Sequence, residues 1–576
     1  MNTPTQFRAI FLAAIMVVSM VATGAMAGAV GAQPQPQPTT ENPALSNSAL
    51  TESGPDQSVS TQQTTAVSDS QPAQVADQLT DASGETTVIL LVDRDIQQSL
   101  ITSGEATSTE LQQDSRQTLQ PVKDQIGQLS TAEVQHEYWV GNALSVEIDL
   151  DQSDISTLAE IPGVSSVIPN VQFDTPPQPA LTTDADSDEI RTDGITPSLE
   201  AGDFTYGLQK IGIPSFEEQF DTDGQGATVA IIDDGISNPT EGHPDLEFAQ
   251  TAVATDGVIT EGTLGSPGAH GEHVSGTATG AADPAGDVPR YGVAPNASLI
   301  EVNAFEEGAF LEDILAGVEY AVEEDADVAG MSLGFPPTND KNPMINAVNR
   351  QMEEANAAGT LVSVSAGNSG NADDGGPVTS PATEFGAFSV GASVDNPVNI
   401  PELPPILVPL NTGFNGDIVF FSSGGVISDR TAVDSFDYPD TYPRQYVQPD
   451  VSAPGAFVIS AGPLGTTEQS LEDPNATYSH AAGTSMAQPH VAGAVALIQS
   501  ATAEDLSPKQ IEAALVETAE KPAIPSNFTE LNSRDIRYGA GIINVTAATL
   551  AAQSENLEIE GTVTDNNQYP ACRCNS

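Results

Sequence analysis

Between residue 204 and about residue 553 the chain repeats one unit: a short β-branched apolar run, a glycine turn, then a helix-length segment. The runs fall at 229–232, 298–302, 327–331, 360–365 and 387–390, with helical segments such as 311–322 and 343–357 between them. No other feature of the sequence constrains the fold as strongly. It predicts an α/β domain of three layers, a mostly parallel central sheet with helices on both faces. Reacting groups in such a sheet gather at the carboxyl ends of the strands.

The remainder of the 576 residues divides by texture. Residues 1–27 carry one early cation, Arg8, an apolar run over 9–22 and small residues up to Ala27. This reads as a secretory signal peptide; the alternative, a membrane anchor, needs an apolar run of roughly 20 residues. The reading implies a secreted, extracellular protein with no stable membrane anchor. Residues 28–84 are Gln-, Pro-, Ser- and Thr-rich, unable to bury a core, and read as a low-complexity linker. Over 85–173 β-branched runs return, with a short helix, a Pro162-Gly163 turn and a strand across 158–167, which predicts a small α+β domain. Residues 174–203 are Pro- and Asp-rich, an exposed linker of the kind proteases cut. The tail, 554–576, holds both cysteines; Cys572 and Cys574 are too close for a good disulfide with each other and receive no function.

Sixteen Lys and Arg stand against 80 Asp and Glu, a net charge of −64. Phosphate backbones need clustered cations, so no nucleic-acid partner is expected, and an anionic membrane surface is disfavoured for the same reason. The acids are spread along the chain, and lysine occurs only as Lys123, Lys210, Lys341, Lys509 and Lys521. Like charges at this density strain a compact state. At 1 M salt the Debye length is about 3 Å and that repulsion is largely screened. The composition predicts a protein that works in concentrated brine.

Three motifs stand at strand ends or helix starts. They are Val229-Ala230-Ile231-Ile232-Asp233-Asp234-Gly235, His270-Gly271-Glu272-His273-Val274-Ser275-Gly276-Thr277, and Gly483-Thr484-Ser485-Met486-Ala487-Gln488-Pro489-His490. Taken singly, a strand-end Asp can be a helix cap, His-x-x-His a surface or metal motif, and Gly-Thr-Ser an N-cap. Together, in the order Asp, His, Ser, they resemble the subtilisin-like serine proteases, the subtilases. Further matching segments are His243-Pro244-Asp245-Leu246, Gly292-Val293-Ala294-Pro295, Met331-Ser332-Leu333-Gly334, Ser365-Ala366-Gly367-Asn368 and Pro449-Asp450-Val451-Ser452-Ala453-Pro454-Gly455. With its acidic composition, the chain is similar to the halophilic, halolysin-like members.

The resemblance implies a subtilisin-like domain over 204–553 that hydrolyses polypeptides as an endopeptidase. Ser485 is the implied nucleophile, His270 its general base and Asp233 the group that orients the imidazole. Asn368 is the implied side-chain oxyanion donor, and Pro489 is read as lying in the first turn, where its missing N–H costs little. Ser332, Leu333 and Gly334 match the edge that pairs with substrate backbone; Ser365, Ala366 and Gly367 match one wall of the first specificity pocket. Catalysis needs no cofactor, but Asp245 matches a carboxylate that ligates structural calcium in relatives, with ordinary acidic surface as the alternative. The stretch 395–420 departs from the compact family pattern as a Pro-rich apolar insertion, Gly330 stands where relatives often have a polar residue, and Gln488 replaces a small one. Residues 85–173 resemble the family's ferredoxin-like inhibitory propeptide, which would make the chain its own intramolecular inhibitor. The competing reading is a catalytically silent homologue acting as a binding or surface-layer protein; the joint presence of Asp233, His270, Asn368 and Ser485 argues against it.

Overall fold

The computed structural model describes residues 73–172, 203–240, 242–306, 308–334, 344–370, 376–394 and, with gaps, 418–554. The signal segment 1–27, most of the linker 28–84, nearly all of 174–203, most of the 395–420 insertion and the tail from 555 lie outside the described residues.

Eight strands form the central sheet. Their order is Val451–Pro454, Phe388–Ser393, Leu361–Ser365, Val328–Met331, Thr228–Asp233, Ser298–Asn303, Phe248–Thr255 and Val258–Glu261. The first seven are parallel and the last turns back antiparallel on its neighbour. Period-two geometry sends successive side chains to opposite faces. Val229 and Ile231 therefore join the core beneath the helices His270–Thr279 and Thr484–Ala501. Ala230 and Ile232 join a second core beneath Leu311–Glu323 and Met344–Ala358. With both faces covered, the strands read as unbroken apolar runs, and each fully buried Ile or Val contributes about 1.5–3 kcal/mol. The sheet thus has its own helices on each side, and the ends of its central strands are held rigidly.

A second sheet of five strands lies within residues 73–172. Its order is Gln74–Val75, Val164–Pro169, Glu85–Val92, Ala143–Asp149 and Ala132–Tyr138. The four longer strands pair antiparallel, linked as strand, helix, strand, strand, helix, strand by Ser108–Ile126 and Ser156–Ala159. Two expectations change here. The domain takes in residues before 85: Gln74 and Val75 pair with Ser166 and Val167, and Ala76 and Leu79 are buried. A two-residue strand carries no periodicity to read. The helix Ser108–Ile126, 19 residues long, is a further addition: its apolar residues are sparse among Gln and other polar residues, and Pro121 lies inside it. Its start was nevertheless encoded, in the capping box between Thr107 and Glu110.

The two sheets meet through side chains of opposite role. On the strand Glu85–Val92, Val88, Leu90 and Val92 face the small domain's own core. Ile89 and Leu91, with Tyr138, Val140 and Ile168, join the core under Leu311–Glu323 and Met344–Ala358. Around this apolar contact the helices supply carboxylates to donors of the small domain, and Arg350 Nη1 gives to the Val92 carbonyl at 2.7 Å. Glu354 accepts from Arg94 Nε at 2.8 Å and from the Gly141 N–H at 2.6 Å. Glu312 accepts from Ser145 Oγ and Asn170 Nδ2, both at 2.6 Å. Glu319 accepts from the Val140 N–H at 2.9 Å, and Glu353 from Gln98 Nε2 at 2.8 Å. At its end the small domain passes the start of Leu311–Glu323, where the Leu311 N–H donates to the Val171 carbonyl.

Candidate active site

Asp233 ends the strand Thr228–Asp233 at the carboxyl edge of the sheet and is fully buried. The turn after it, Asp234-Gly235, wraps the first residues of the helix His270–Thr279. Asp234 Oδ1 accepts from the Gly271 N–H at 2.7 Å, satisfying one of the unpaired donors at that helix start. The approach is close enough to require glycine: a Cβ on Gly271 would lie 2.4 Å from the Gly235 carbonyl oxygen. This fit puts His270 Nδ1 2.6 Å from Asp233 Oδ1, which also accepts the Asp234 N–H at 2.8 Å. The other ring nitrogen, Nε2, is buried and has no hydrogen-bond partner among the described residues.

Electrostatics at this corner favour a charged imidazole. Burial opposes protonation of His270, but the Asp233 charge and its hydrogen bond, with Asp234 adding, outweigh it and raise the pKa. Asp234 is pushed up to about 6, by burial and by the Asp233 charge, against the pull of His270 and two backbone N–H groups. Behind them lies a group that sequence reasoning missed. Glu301, on the neighbouring strand Ser298–Asn303, is fully buried and accepts a hydrogen bond from Ser275 Oγ. Burial holds its carboxyl well above the usual range, and Asp233, Asp234 and Glu272 add to the rise. A polar residue in an otherwise apolar run was its one sequence signal.

Ser485 is the second residue of the helix Thr484–Ala501, which packs against the His270 helix. Its hydroxyl donates to the Ser332 carbonyl at 3.5 Å; no bond to His270 Nε2 is formed. Such contacts are often long before substrate arrives. Asn368 stands at the same helix start, its Oδ1 accepting from the Thr484 N–H at 2.8 Å and Thr484 Oγ1 at 3.1 Å. Asp233, His270, Ser485 and Asn368 thus lie on elements that converge at one edge of the sheet. Pro489 is the sixth residue of its helix, in the second turn and not the first. The N–H it lacks is the one that would have bonded the Ser485 carbonyl.

The expected substrate-contacting residues border this corner. Ser332 turns its hydroxyl to the Ser485 carbonyl at 3.0 Å. Leu333, next along, faces away and is buried in the core with Val362, Val364 and Val378, so its side chain shapes no pocket and only its backbone can meet a substrate. A Cβ on Gly334 would touch Ser380 and Thr379. Ser365 is buried, the Ala366 carbonyl accepts from the Thr379 N–H at 3.1 Å, and Gly367 donates to Thr484 Oγ1 at 3.0 Å.

Asp245 does not fit calcium. Its Oδ2 accepts from Tyr291 Oη at 2.7 Å and Tyr478 Oη at 2.9 Å, and its Oδ1 from the Ala285 N–H at 2.8 Å. A calcium ion needs surrounding oxygens that give electron pairs, whereas these neighbours are donors to the carboxylate. Asp233, Asp234 and His270 bring three ligand atoms within 4.8 Å of one another, but Asp233 Oδ1 and His270 Nδ1 are bonded to each other and Asp234 Oδ1 to Gly271. His273 directs Nε2 at the Val458 and Ser479 carbonyls, both at 3.2 Å, which makes that nitrogen a donor and not a ligand.

Known proteins resemble this chain in sequence and in fold. A family model described as the subtilase family matches residues 224–541. Subtilisin DY of Bacillus licheniformis is 31% identical over 330 residues, 56% of this chain and 91% of the relative. Serine protease AprX of Bacillus subtilis is 31% identical over 337 residues, and bacillopeptidase F of the same species 28% over 497. The chain spans 65% and 29% of the lengths of those two relatives. Among solved structures, fervidolysin from Fervidobacterium pennivorans superposes with a TM-score of 0.53 at 21% identity, covering 83% of this chain and 63% of that one, a likeness of fold. The family model spans more than half of the sequence, and the chain belongs to the subtilase family.

Proposed function

We propose that this protein is a secreted serine endopeptidase, made as a self-processing zymogen and adapted to high salt. The observation that carries the reading is the 2.6 Å bond between Asp233 and His270, which leaves Nε2 buried and unpartnered beside the helix that begins at Thr484. Ser485 Oγ attacks the scissile carbonyl carbon while His270 Nε2 takes its proton. Asp233 holds the ring through Nδ1 and stabilises the imidazolium, which the raised pKa of His270 favours. The oxyanion that forms is met by the Ser485 N–H, one of the helix-start donors without an intrahelical partner, and by the Asn368 carboxamide. The imidazolium then gives its proton to the departing amine, leaving an acyl-enzyme that water hydrolyses through the same base. Substrates are polypeptides that lie along the Ser332–Gly334 backbone as an added strand.

The small domain serves as the inhibitory propeptide. Its strand–helix–strand–strand–helix–strand order and antiparallel pairing support a ferredoxin-like fold. Its docking on two helices of the catalytic sheet supports the role of intramolecular partner. Cleavage in the 174–203 linker releases it. Ser485→Ala in molar salt is the direct test: the precursor accumulates uncut, and activity falls by at least about 10⁴-fold. A variant that matures normally assigns the cut to another protease. The brine adaptation is tested by far-ultraviolet circular dichroism on dilution. The spectrum collapses below about 0.1 M salt, where the Debye length reaches about 10 Å. An unchanged spectrum there overturns it.

A further inference from the structure

Two departures from the family pattern, Gly330 and Gln488, meet each other in space. Gly330 lies in the strand Val328–Met331, paired with Ile231 on one side and Ser363 on the other. A Cβ on Gly330 would come within 2.6 Å of Gln488 Nε2 and 3.0 Å of Ile231 Cδ1. The missing side chain on the strand makes the room that the long side chain on the helix occupies. Gln488, Ser332 and Ser485 are all fully buried.

The hydrogen bonds in this pocket do not balance as first drawn. Ser332 Oγ lies 3.0 Å from the Ser485 carbonyl and 3.2 Å from Gln488 Oε1, yet a hydroxyl has a single proton to donate. Gln488 Nε2, meanwhile, is buried with no partner among the described residues, a costly state for an amide. Turning the carboxamide by half a turn ends the conflict over the hydroxyl proton and gives the nitrogen a partner, leaving Oε1 as the unpaired atom. The amide nitrogen then donates to Ser332 Oγ, and the Ser332 proton is committed to the Ser485 carbonyl. That carbonyl needs such a donor, because residue 489 is proline and cannot supply the usual helical N–H.

We infer that Gln488 is a positioning residue for the nucleophile: its amide fixes the Ser332 hydroxyl, which replaces the helical hydrogen bond that Pro489 denies to Ser485. The relay acts on the main chain of Ser485, and so on both the hydroxyl that attacks and the N–H that meets the oxyanion. Ser332 holds the other end as well, through its own carbonyl 3.5 Å from Ser485 Oγ. Gly330 is the complement that admits the relay.

The inference rests on the proposed protease activity, and the test separates the two. Wild-type, Gln488→Met, Gln488→Ala, Ser332→Ala and the double variant Q488M/S332A are titrated in molar salt with a fluorophosphonate. Turnover is then measured per labelled site on a peptide anilide that wild type cleaves. Q488M keeps the length and loses the donor, Q488A leaves space, and a folding failure of one leaves the other to report. The expected result is a kcat about tenfold lower in each single variant, KM within twofold of wild type, and no further loss in the double variant. A kcat per site that stays within twofold of wild type, even with a lowered melting temperature, makes Gln488 a packing residue and overturns the inference. So do losses that multiply in the double variant. A wild-type protein that takes no label overturns the protease reading itself.

Discussion

The two sheets of this molecule solve the same burial problem differently. The eight-stranded sheet carries its own helices on each face, so its central strands are apolar on both sides and closed without outside help. The five-stranded sheet covers only one face with its own helix, Ser108–Ile126. Its other face, Ile89, Leu91, Tyr138, Val140 and Ile168, is covered by helices that belong to its neighbour. The first is a scaffold, the second a partner whose completion depends on docking.

The largest test of this contrast removes the buried charge at the contact. Glu354 is almost wholly enclosed and bonds Arg94 and Gly141. Glu354→Ala in the Ser485→Ala precursor leaves Arg94 short of its main partner, a loss of about 3–5 kcal/mol for a buried pair. Amide exchange across Glu85–Val92 then accelerates by at least about 10²-fold, while the strand Thr228–Asp233 stays protected. Protection retained in both sheets would mean that docking does not rest on this pair.

Adjacent leucines give a finer cut. Leu90→Ala and Leu91→Ala each cost about 2–5 kcal/mol if nothing collapses into the space. L90A should loosen the small domain from within, exposing Ser108–Ile126 to exchange. L91A should instead loosen the contact and expose Leu311–Glu323. Identical exchange maps would erase the distinction between the two faces.

The smallest effect is a pH dependence. Burial pushes Glu319 up to about 8, against the Val140 and Trp139 N–H groups, with Glu323 and Glu137 raising it further. Released into water, the carboxyl returns toward 4.5. The docked state therefore binds the proton more tightly. This contribution to docking is complete below about pH 4.5 and is lost as the pH rises through about 8. Docking of the S485A precursor, read by exchange, should weaken by at least about tenfold between pH 5 and pH 8, and Glu319→Gln should flatten that slope.

Much of this was legible in the sequence because the catalytic sheet is hydrophobic on both faces. Runs such as 229–232 and 298–302 have no competing interpretation, and they end beside Asp233 and Asn303. Asp233, His270 and Ser485 were readable as motifs because a strand end and a helix start each favour a few residue types. What escaped was set by three-dimensional complement. The pair Gln74–Val75 has no pattern of its own, Ser108–Ile126 hides its four apolar anchors among amides, and Asp245 looks like any acid until two tyrosines close over it. Gln488 and Gly330, 158 positions apart, looked like two separate oddities and are one arrangement.

On the docking face four carboxylates, Glu312, Glu319, Glu353 and Glu354, accept from the small domain, while Arg350 and the Leu311 N–H give to it. Those carboxylates exceed Arg350 in charge, so such a face, if bared, would repel a second copy of itself. The apolar strip between them is thereby guarded against pairing with its own kind.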